Sequence, residues 1–306
     1  MRNAMLENQV IDNAVDLGVS SLIVNKDGSN VIEFGDIHDT FNVASIRKCF
    51  LSALYGIRAS EGKVDLSDTL KDFGINDNEP VLTQEETLAT IEDLLKLRSG
   101  VYHPANYETA SAKEGRPSRG SHPHNTFWYY NNWDANVLGT IYNEVVGQDI
   151  FNDFKELIAN PIGMKDFHIE KCEYVEPDEN SIHPAYVFRM SANDLVKFGL
   201  LYLQSGDWGG KQIIPKDWVA KSLRAYSVTP NGNGFGYMWE TSVKGKIYGI
   251  EVGDGAFAYS GYPGHYLVGI PSGNLVLVYV HSLDLPDKKG VSSINFSLLL
   301  QLVTQI

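Results

Sequence analysis

The 306-residue chain contains only two cysteines, Cys49 and Cys172. That excludes a disulfide framework and a cysteine-built metal site, and a reducing compartment fits best. Positive charge is also scarce: 25 Lys and Arg face 38 Asp and Glu, for a net charge of -13. No basic run or Lys/Arg-rich helix is available to follow a phosphate backbone, so nucleic acid is not an expected partner. No stretch reaches the roughly 20 apolar residues that a membrane span needs, and no membrane partner is expected. The N-terminal text "MRNAMLENQVIDNAVDLGVSS" carries acidic and amide residues throughout and lacks the apolar core of a signal peptide. A cytoplasmic location is the expectation.

Several catalytic signatures are missing too. There is no Gly-x-Ser-x-Gly elbow, which argues against an α/β-hydrolase. There is no His-Glu-x-x-His, and the eight histidines, His122, His124 and His168 among them, lack ligand spacing with a carboxylate. No glycine-rich loop joins a strand to a helix, so nucleotide binding has no support. Neither a metal nor a cofactor is expected. His122 and His124 read as decoration of a polar loop.

What is present suffices for a large core, since 43% of the residues are hydrophobic. Met5, Val10, Ile11, Ala14 and Leu17 recur at helical spacing and predict a first helix over 5–19. "SSLIVN" and "NVIEFGD" predict two strands joined at Asp27-Gly28, a strong hairpin signal. Cys49, Phe50, Ala53, Leu54 and Ile57 form the stripe of a long buried helix ending near Gly62. From 63 to 183 the text reads as helix and loop: "TIEDLLKLRSG" stops at Gly100 and "NNWDANVLGTIYNEVVG" at Gly147. Between these two lies a long polar loop, 103–125, of the kind that borders a site. "MSANDLVKFGLLYLQSG" is a further helix with a capping-box-like Ser191 and Asp194. Strands then return in "FGYMWETSV", "AFAYSG", "HYLVGI" and "NLVLVYVHS", before a terminal helix in "INFSLLLQLVTQI".

Strands near both ends of the chain with helices between them predict an α+β fold. Its antiparallel sheet is expected to be five-stranded, with the terminal helices on one face. The whole chain is expected to form one catalytic domain, in which 1–62 and 184–306 make an α/β part and 63–183 a helical subdomain. The site is expected in the cleft between them.

Three segments carry candidate chemistry. In "FNVASIRKCF", Ser45 and Lys48 are one turn apart at a helix start, which suits a nucleophile and a desolvated base; Ser45 as a plain helix cap is the competing reading. A second Ser-x-x-Lys, Ser60 to Lys63, crosses a predicted helix end and cannot hold that geometry. In "TFWYYNNWDAN", Tyr130 offers a phenol able to shuttle a proton, and Asn132 a carboxamide able to bond a substrate carbonyl. Asn132 as an N-cap competes, as does core packing for Phe127, Trp128, Tyr129 and Trp133. In "FAYSGYPGHYLVGIP", Ser260-Gly261 permits a close backbone approach, or else marks a bulge or turn.

Together the three segments resemble the serine β-lactamase and penicillin-binding-protein superfamily, and most closely its class C branch with the carboxylesterases and nylon-oligomer hydrolases of that fold. The superfamily order of Ser-x-x-Lys, Tyr-x-Asn and Lys-Thr-Gly corresponds to Ser45-Ile46-Arg47-Lys48, Tyr130-Asn131-Asn132 and Tyr259-Ser260-Gly261. Flanking text is similar as well: "TIEDLLKLRSGV" to an "LLxHxSG" segment, and "SGYPGHYLVGIPSGNLVLV" to a closing hairpin in which Gly264-His265 stands where Gly-Gln is usual.

The resemblance implies a serine hydrolase working through an acyl-enzyme on a small ester or amide. Ser45 is then the nucleophile, with Lys48 and Tyr130 moving its proton. The N–H groups of Ser45 and Tyr262 form the oxyanion hole, and Asn132, Tyr259, Ser260 and Gly261 bind substrate. Tyr259 replaces the lysine that in the superfamily grips a substrate carboxylate, which speaks against strong activity on penicillins or stem peptides. Trp128, Tyr129, Tyr259 and Tyr262 are expected to line the site. A weak β-lactamase or penicillin-binding protein, and a non-catalytic binding or sensor module, are the alternatives.

Overall fold

A computed structural model describes residues 4–282 and 290–306. The chain opens with α1 (Ala4–Asp16), which buries Leu6, Val10 and Ala14. The helix stops short of the expected residue 19 because Gly18 turns the chain into the left-handed region. Strands β1 (Val19–Lys26) and β2 (Ser29–Gly35) form the expected hairpin. Asp27 and Gly28 both take positive φ, as a two-residue turn of matching twist requires.

A short strand β3 (Thr40–Asn42) leads through one 3-10 turn into α2 (Arg47–Ser60), which is buried from Arg47 to Arg58. After a long stretch of loops and short helices come α3 (Asn132–Val146), β4 (Arg189–Ser191), which pairs with β3, and α4 (Ala192–Leu203). Three two-residue strands follow, β5 (Ser227–Val228), β6 (Gly234–Phe235) and β7 (Glu240–Thr241). The chain closes with β8 (Phe257–Gly261), β9 (His265–Ile270), β10 (Leu275–His281) and α5 (Ser293–Val303).

The main sheet is antiparallel, in the order β2-β1-β10-β9-β8-β7-β6-β5. It has eight strands rather than the expected five. The five long strands fall on five of the six runs read as strands, and β5 to β7 extend the edge. "FGYMWETSV", read as one strand, is β6 and β7 with a turn between them, where Gly236 N–H bonds Trp239 O and Met238 has φ +58°. No strand from residues 63–183 enters this sheet.

Alternation along β10 shows how the sheet separates two cores. Leu275, Leu277 and Tyr279 face α1 and α5, together with Val10, Ala14, Phe296 and Leu300. Val276, Val278 and Val280 face the opposite core, with Phe50 and Leu54 of α2 and Phe198 of α4. Burying β10 on both faces explains its uninterrupted apolar text. At roughly 1.5–3 kcal/mol per large apolar side chain, these faces anchor the strands and α2 that carry the site. Among the described residues, no helix is long and apolar enough to cross a membrane.

Candidate active site

Pairing of β3 with β4 fixes the chain just ahead of Ser45, and Val43 N–H bonds Phe188 O at 3.1 Å. Asn42 Oδ1 accepts from Ala44 N–H at 2.8 Å, folding the backbone tightly. Ala44 takes φ +49°, a conformation of order 1–2 kcal/mol uphill for a residue with a side chain. Ser45 then sits inside the 3-10 turn. The cap reading does not hold, since Val43 and Ile46 are the N-cap positions and neither carries a side-chain cap bond. The Ser45 hydroxyl is thereby left to other partners.

Those partners are Lys48 and Tyr130. Lys48 Nζ donates to Ser45 Oγ at 3.0 Å and to Tyr130 OH at 2.8 Å, and Tyr130 OH donates to Ser45 Oγ at 2.6 Å, closing a triangle. Helical spacing brings Lys48 to Ser45. Tyr130 arrives from the start of α3 by a more elaborate route. Ser99 Oγ donates to Asp134 Oδ1 at 2.6 Å, and Asn131 Nδ2 donates to the same oxygen at 2.9 Å and to Val101 O at 2.7 Å. The "LRSG" segment thus lies beneath the helix start and sets its position. Asn131, not Asn132, is the N-cap, its Oδ1 accepting from Trp133 N–H. Asn132 is left facing the cleft, with its Nδ2 3.4 Å from Tyr107 O.

Burial sets the electrostatics. Lys48 is 1% exposed, and its ammonium is held well below the ordinary lysine range, first by loss of water and then by the charge of Arg47. Arg47, equally buried, donates to Asn136 Oδ1 at 3.0 Å and lies 4.2 Å over the Tyr186 ring. Among the described residues neither side chain is paired with a carboxylate; their partners are Ser45 and Tyr130 for Lys48 and Asn136 for Arg47. Tyr130 is pushed upward by burial, while its bond to Ser45 and the Arg47 charge pull it back. The triangle therefore favours a neutral amine beside a neutral phenol, a pair able to take and return a proton.

Gly261 explains how β8 reaches the nucleophile. A Cβ there would stand 2.4 Å from Val43 O, so only glycine lets this strand lie against the Ser45 turn. β8 pairs regularly with β9 through Gly261, with no bulge, and the chain turns at 262–264. Ser45, Tyr130, Asn132, Ser260, Gly261 and Tyr262 line one cavity of about 1030 Å³.

The expected aromatic lining needs correction. Of the four residues anticipated, Tyr262 lines the cavity and is 70% exposed. Tyr259 is buried; its hydroxyl lies near that of Tyr130 without reaching a hydrogen bond. Tyr129 bonds Ala112 O, and Trp128 packs on Phe235. Tyr107, Tyr248 and Tyr266 line the cavity in their place. Their hydropathy gave no sign of it, because aromatic text reads as core. His122 stacks on Phe127 and His124 bonds Asp93, both outside the cavity. His265 does line it; burial and then His281 push its imidazole down to about 3, so the ring is neutral and its Nδ1 accepts from His281 N–H at 3.1 Å. Among the described residues no cluster of His, Cys, Asp or Glu is placed to hold a metal ion.

Comparison with known proteins bears on the fold and the family. A structure of a class C beta-lactamase in complex with cefoxitin superposes with a TM-score of 0.70 at 14% identity, covering 98% of this chain and 99% of that one. A family VIII carboxylesterase gives 0.68 at 16% identity, covering 98% and 97%. The octameric penicillin-binding protein homologue from Pyrococcus abyssi gives 0.69 at 20% identity, covering 99% and 78%. No curated protein sequence matches significantly. These structures share the fold, and the sequence itself matches the beta-lactamase family over residues 10–298. The chain belongs to the beta-lactamase family of serine hydrolases.

Proposed function

We propose that the chain hydrolyses a small ester or amide through an acyl-enzyme on Ser45, and that the acyl part carries no carboxylate. The observation that carries this reading is the closed triangle of Ser45, Lys48 and Tyr130 facing the cavity. Ser45 Oγ attacks the carbonyl carbon as its proton passes to Lys48. Tyr130 relays that proton to the leaving group, which departs with it, and water then cleaves the acyl-enzyme by the same path in reverse. The N–H groups of Ser45 and Tyr262 receive the developing oxyanion, Asn132 orients the acyl side, and Ser260 and Gly261 bound the substrate.

The test is intact mass after a fluorophosphonate, on wild type and on Ser45→Ala. We expect one adduct on the wild type and none on the variant, with ester turnover lost in parallel. Addition that survives Ser45→Ala removes Ser45 as the nucleophile. Stable acylation with no turnover of any ester favours the non-catalytic sensor.

Substrate charge follows from the third segment. Tyr259 puts a buried phenol where a cation would be needed, and Arg47 is the one cation among the described residues lining the cavity, already bound to Asn136 and Tyr186. Glu108 and Glu240 line the same space. An anionic substrate thus forgoes a charge-assisted bond of about 1.5–3 kcal/mol. Neutral phenyl esters should exceed a chromogenic cephalosporin in kcat/KM by roughly 10- to 100-fold. The reverse order would favour the weak β-lactamase.

The proposed organisation is one catalytic domain with residues 63–183 as its helical subdomain. Both cysteines are free, which supports a reducing compartment and, in this reading, the cytoplasm.

A further inference from the structure

We infer that Tyr107 is a specificity-determining residue, the wall that limits the length of the acyl group; the inference rests on the acyl-enzyme reading above. Residues 107–110 line the same cavity as Ser45, Tyr130 and Asn132. Tyr107 is tied to both banks of the cleft. On one bank its hydroxyl accepts from Asn42 Nδ2 at 2.9 Å, and on the other its carbonyl faces Asn132 Nδ2 at 3.4 Å. It therefore crosses on the side of the cavity where Asn132 orients the acyl group.

Its backbone conformation supports a built feature. Tyr107 has φ +64°, uphill for tyrosine, and such a conformation persists where surrounding bonds over-determine it. Those bonds are present. Asn136 Nδ2 donates to Asn106 O at 2.9 Å, and Asn106 Nδ2 donates to Glu176 O at 2.9 Å, which pins the residue before the crossing. Glu108, the residue after it, is ion-paired with Arg116. Asn42 also joins the crossing to the nucleophile, because its Oδ1 holds Ala44 N–H. A segment held at so many points acts as a wall. The cavity is also lined by the exposed Tyr262 and by Pro263, Ser292 and Ser293, which in this reading receive the departing alcohol or amine.

A short acyl chain held beside Asn132 ends before the Tyr107 ring, whereas a longer one meets it. The experiment is kcat/KM for p-nitrophenyl acetate, butanoate and octanoate on wild type, Tyr107→Gly and Tyr107→Phe. Glycine relieves the positive φ, so the first variant is not compromised by backbone strain. We expect the octanoate-to-acetate ratio to rise at least about tenfold in Tyr107→Gly, the size of effect that opening an apolar pocket produces. Tyr107→Phe keeps the ring and loses the Asn42 bond, and its ratio should rise less. A Tyr107→Gly ratio within twofold of wild type, in protein whose Ser45 still takes the fluorophosphonate, overturns Tyr107 as the wall and leaves the acyl-enzyme reading standing. If the wild type neither labels nor cleaves any ester, both fall together.

Discussion

Lys48→Met should lower kcat/KM by about 10³-fold, within the 10²–10⁴ range of general acid–base catalysis, and leave the melting temperature unchanged or raised. The two halves of this expectation share a cause. Lys48 is buried, bonded to Ser45 and Tyr130 and paired with no carboxylate, so its charged form is disfavoured by burial first and by Arg47 second. That makes the amine a usable base and also makes it a liability to the fold. The unfolded chain binds a proton on Lys48 up to the ordinary lysine range, about pH 10.4, whereas the folded chain releases it at lower pH. Between those limits the unfolded state holds more protons, so stability rises with pH across the window and is lost as pH falls through the depressed folded pKa. Methionine matches the volume of the aliphatic stem and removes the titration. Stability measured by urea unfolding between pH 6 and 10 should therefore climb more steeply in the wild type than in Lys48→Met. Parallel curves would mean that Lys48 is not held depressed. Wild-type turnover in the variant would take Lys48 out of the mechanism.

Residues whose roles depend on local spacing were legible in the sequence, and those whose roles depend on distant backbone were not. Ser45 and Lys48 share a helix face by arithmetic, and Asp27-Gly28 declares its hairpin through the φ values it permits. The uninterrupted apolar run of β10 could be read as a strand, although only the structure shows that both of its faces are covered. The eight-stranded sheet was missed because β5, β6 and β7 are two-residue ladders, too short for a period of two to register. The choice between Asn131 and Asn132 as cap turned on Ser99 and Asp134, which are brought together by tertiary contact. Tyr107 lay inside a loop marked only as polar and long. Its place over the cleft is set by a carbonyl and a positive φ, neither of which has a residue-type signature beyond the nearby Asn42. Arg47 read as one of two unspecified positions in Ser-x-x-Lys, yet its charge is the second influence on the lysine beside it.

Gly261→Ala should cost about 10²- to 10³-fold in kcat, comparable to losing one oxyanion donor, with a stability loss of roughly 1–3 kcal/mol from overpacking. Gly261 does not have positive φ, so the added methyl raises no backbone objection and acts by contact alone. That methyl would lie 2.4 Å from Val43 O and 3.3 Å from Ala44 Cβ. Val43 cannot yield easily, because its N–H is bonded to Phe188 O and its carbonyl accepts from Ile46 N–H. Ala44 is already held in a left-handed conformation by Asn42. β8 must therefore move away from the Ser45 turn, and Tyr262, the next residue, moves with it. In the proposed oxyanion hole the two donors come from opposite sides of this contact, Ser45 from the turn and Tyr262 from the strand. Widening the gap misplaces one N–H relative to the other, while Ser45, Lys48 and Tyr130 keep their mutual bonds. The signature is a fall in kcat at nearly constant pH profile, since the base is untouched, in protein that remains folded by circular dichroism. A variant with wild-type kcat would show that the hole is not built across this contact. A shifted pH profile would place the damage at Lys48 instead.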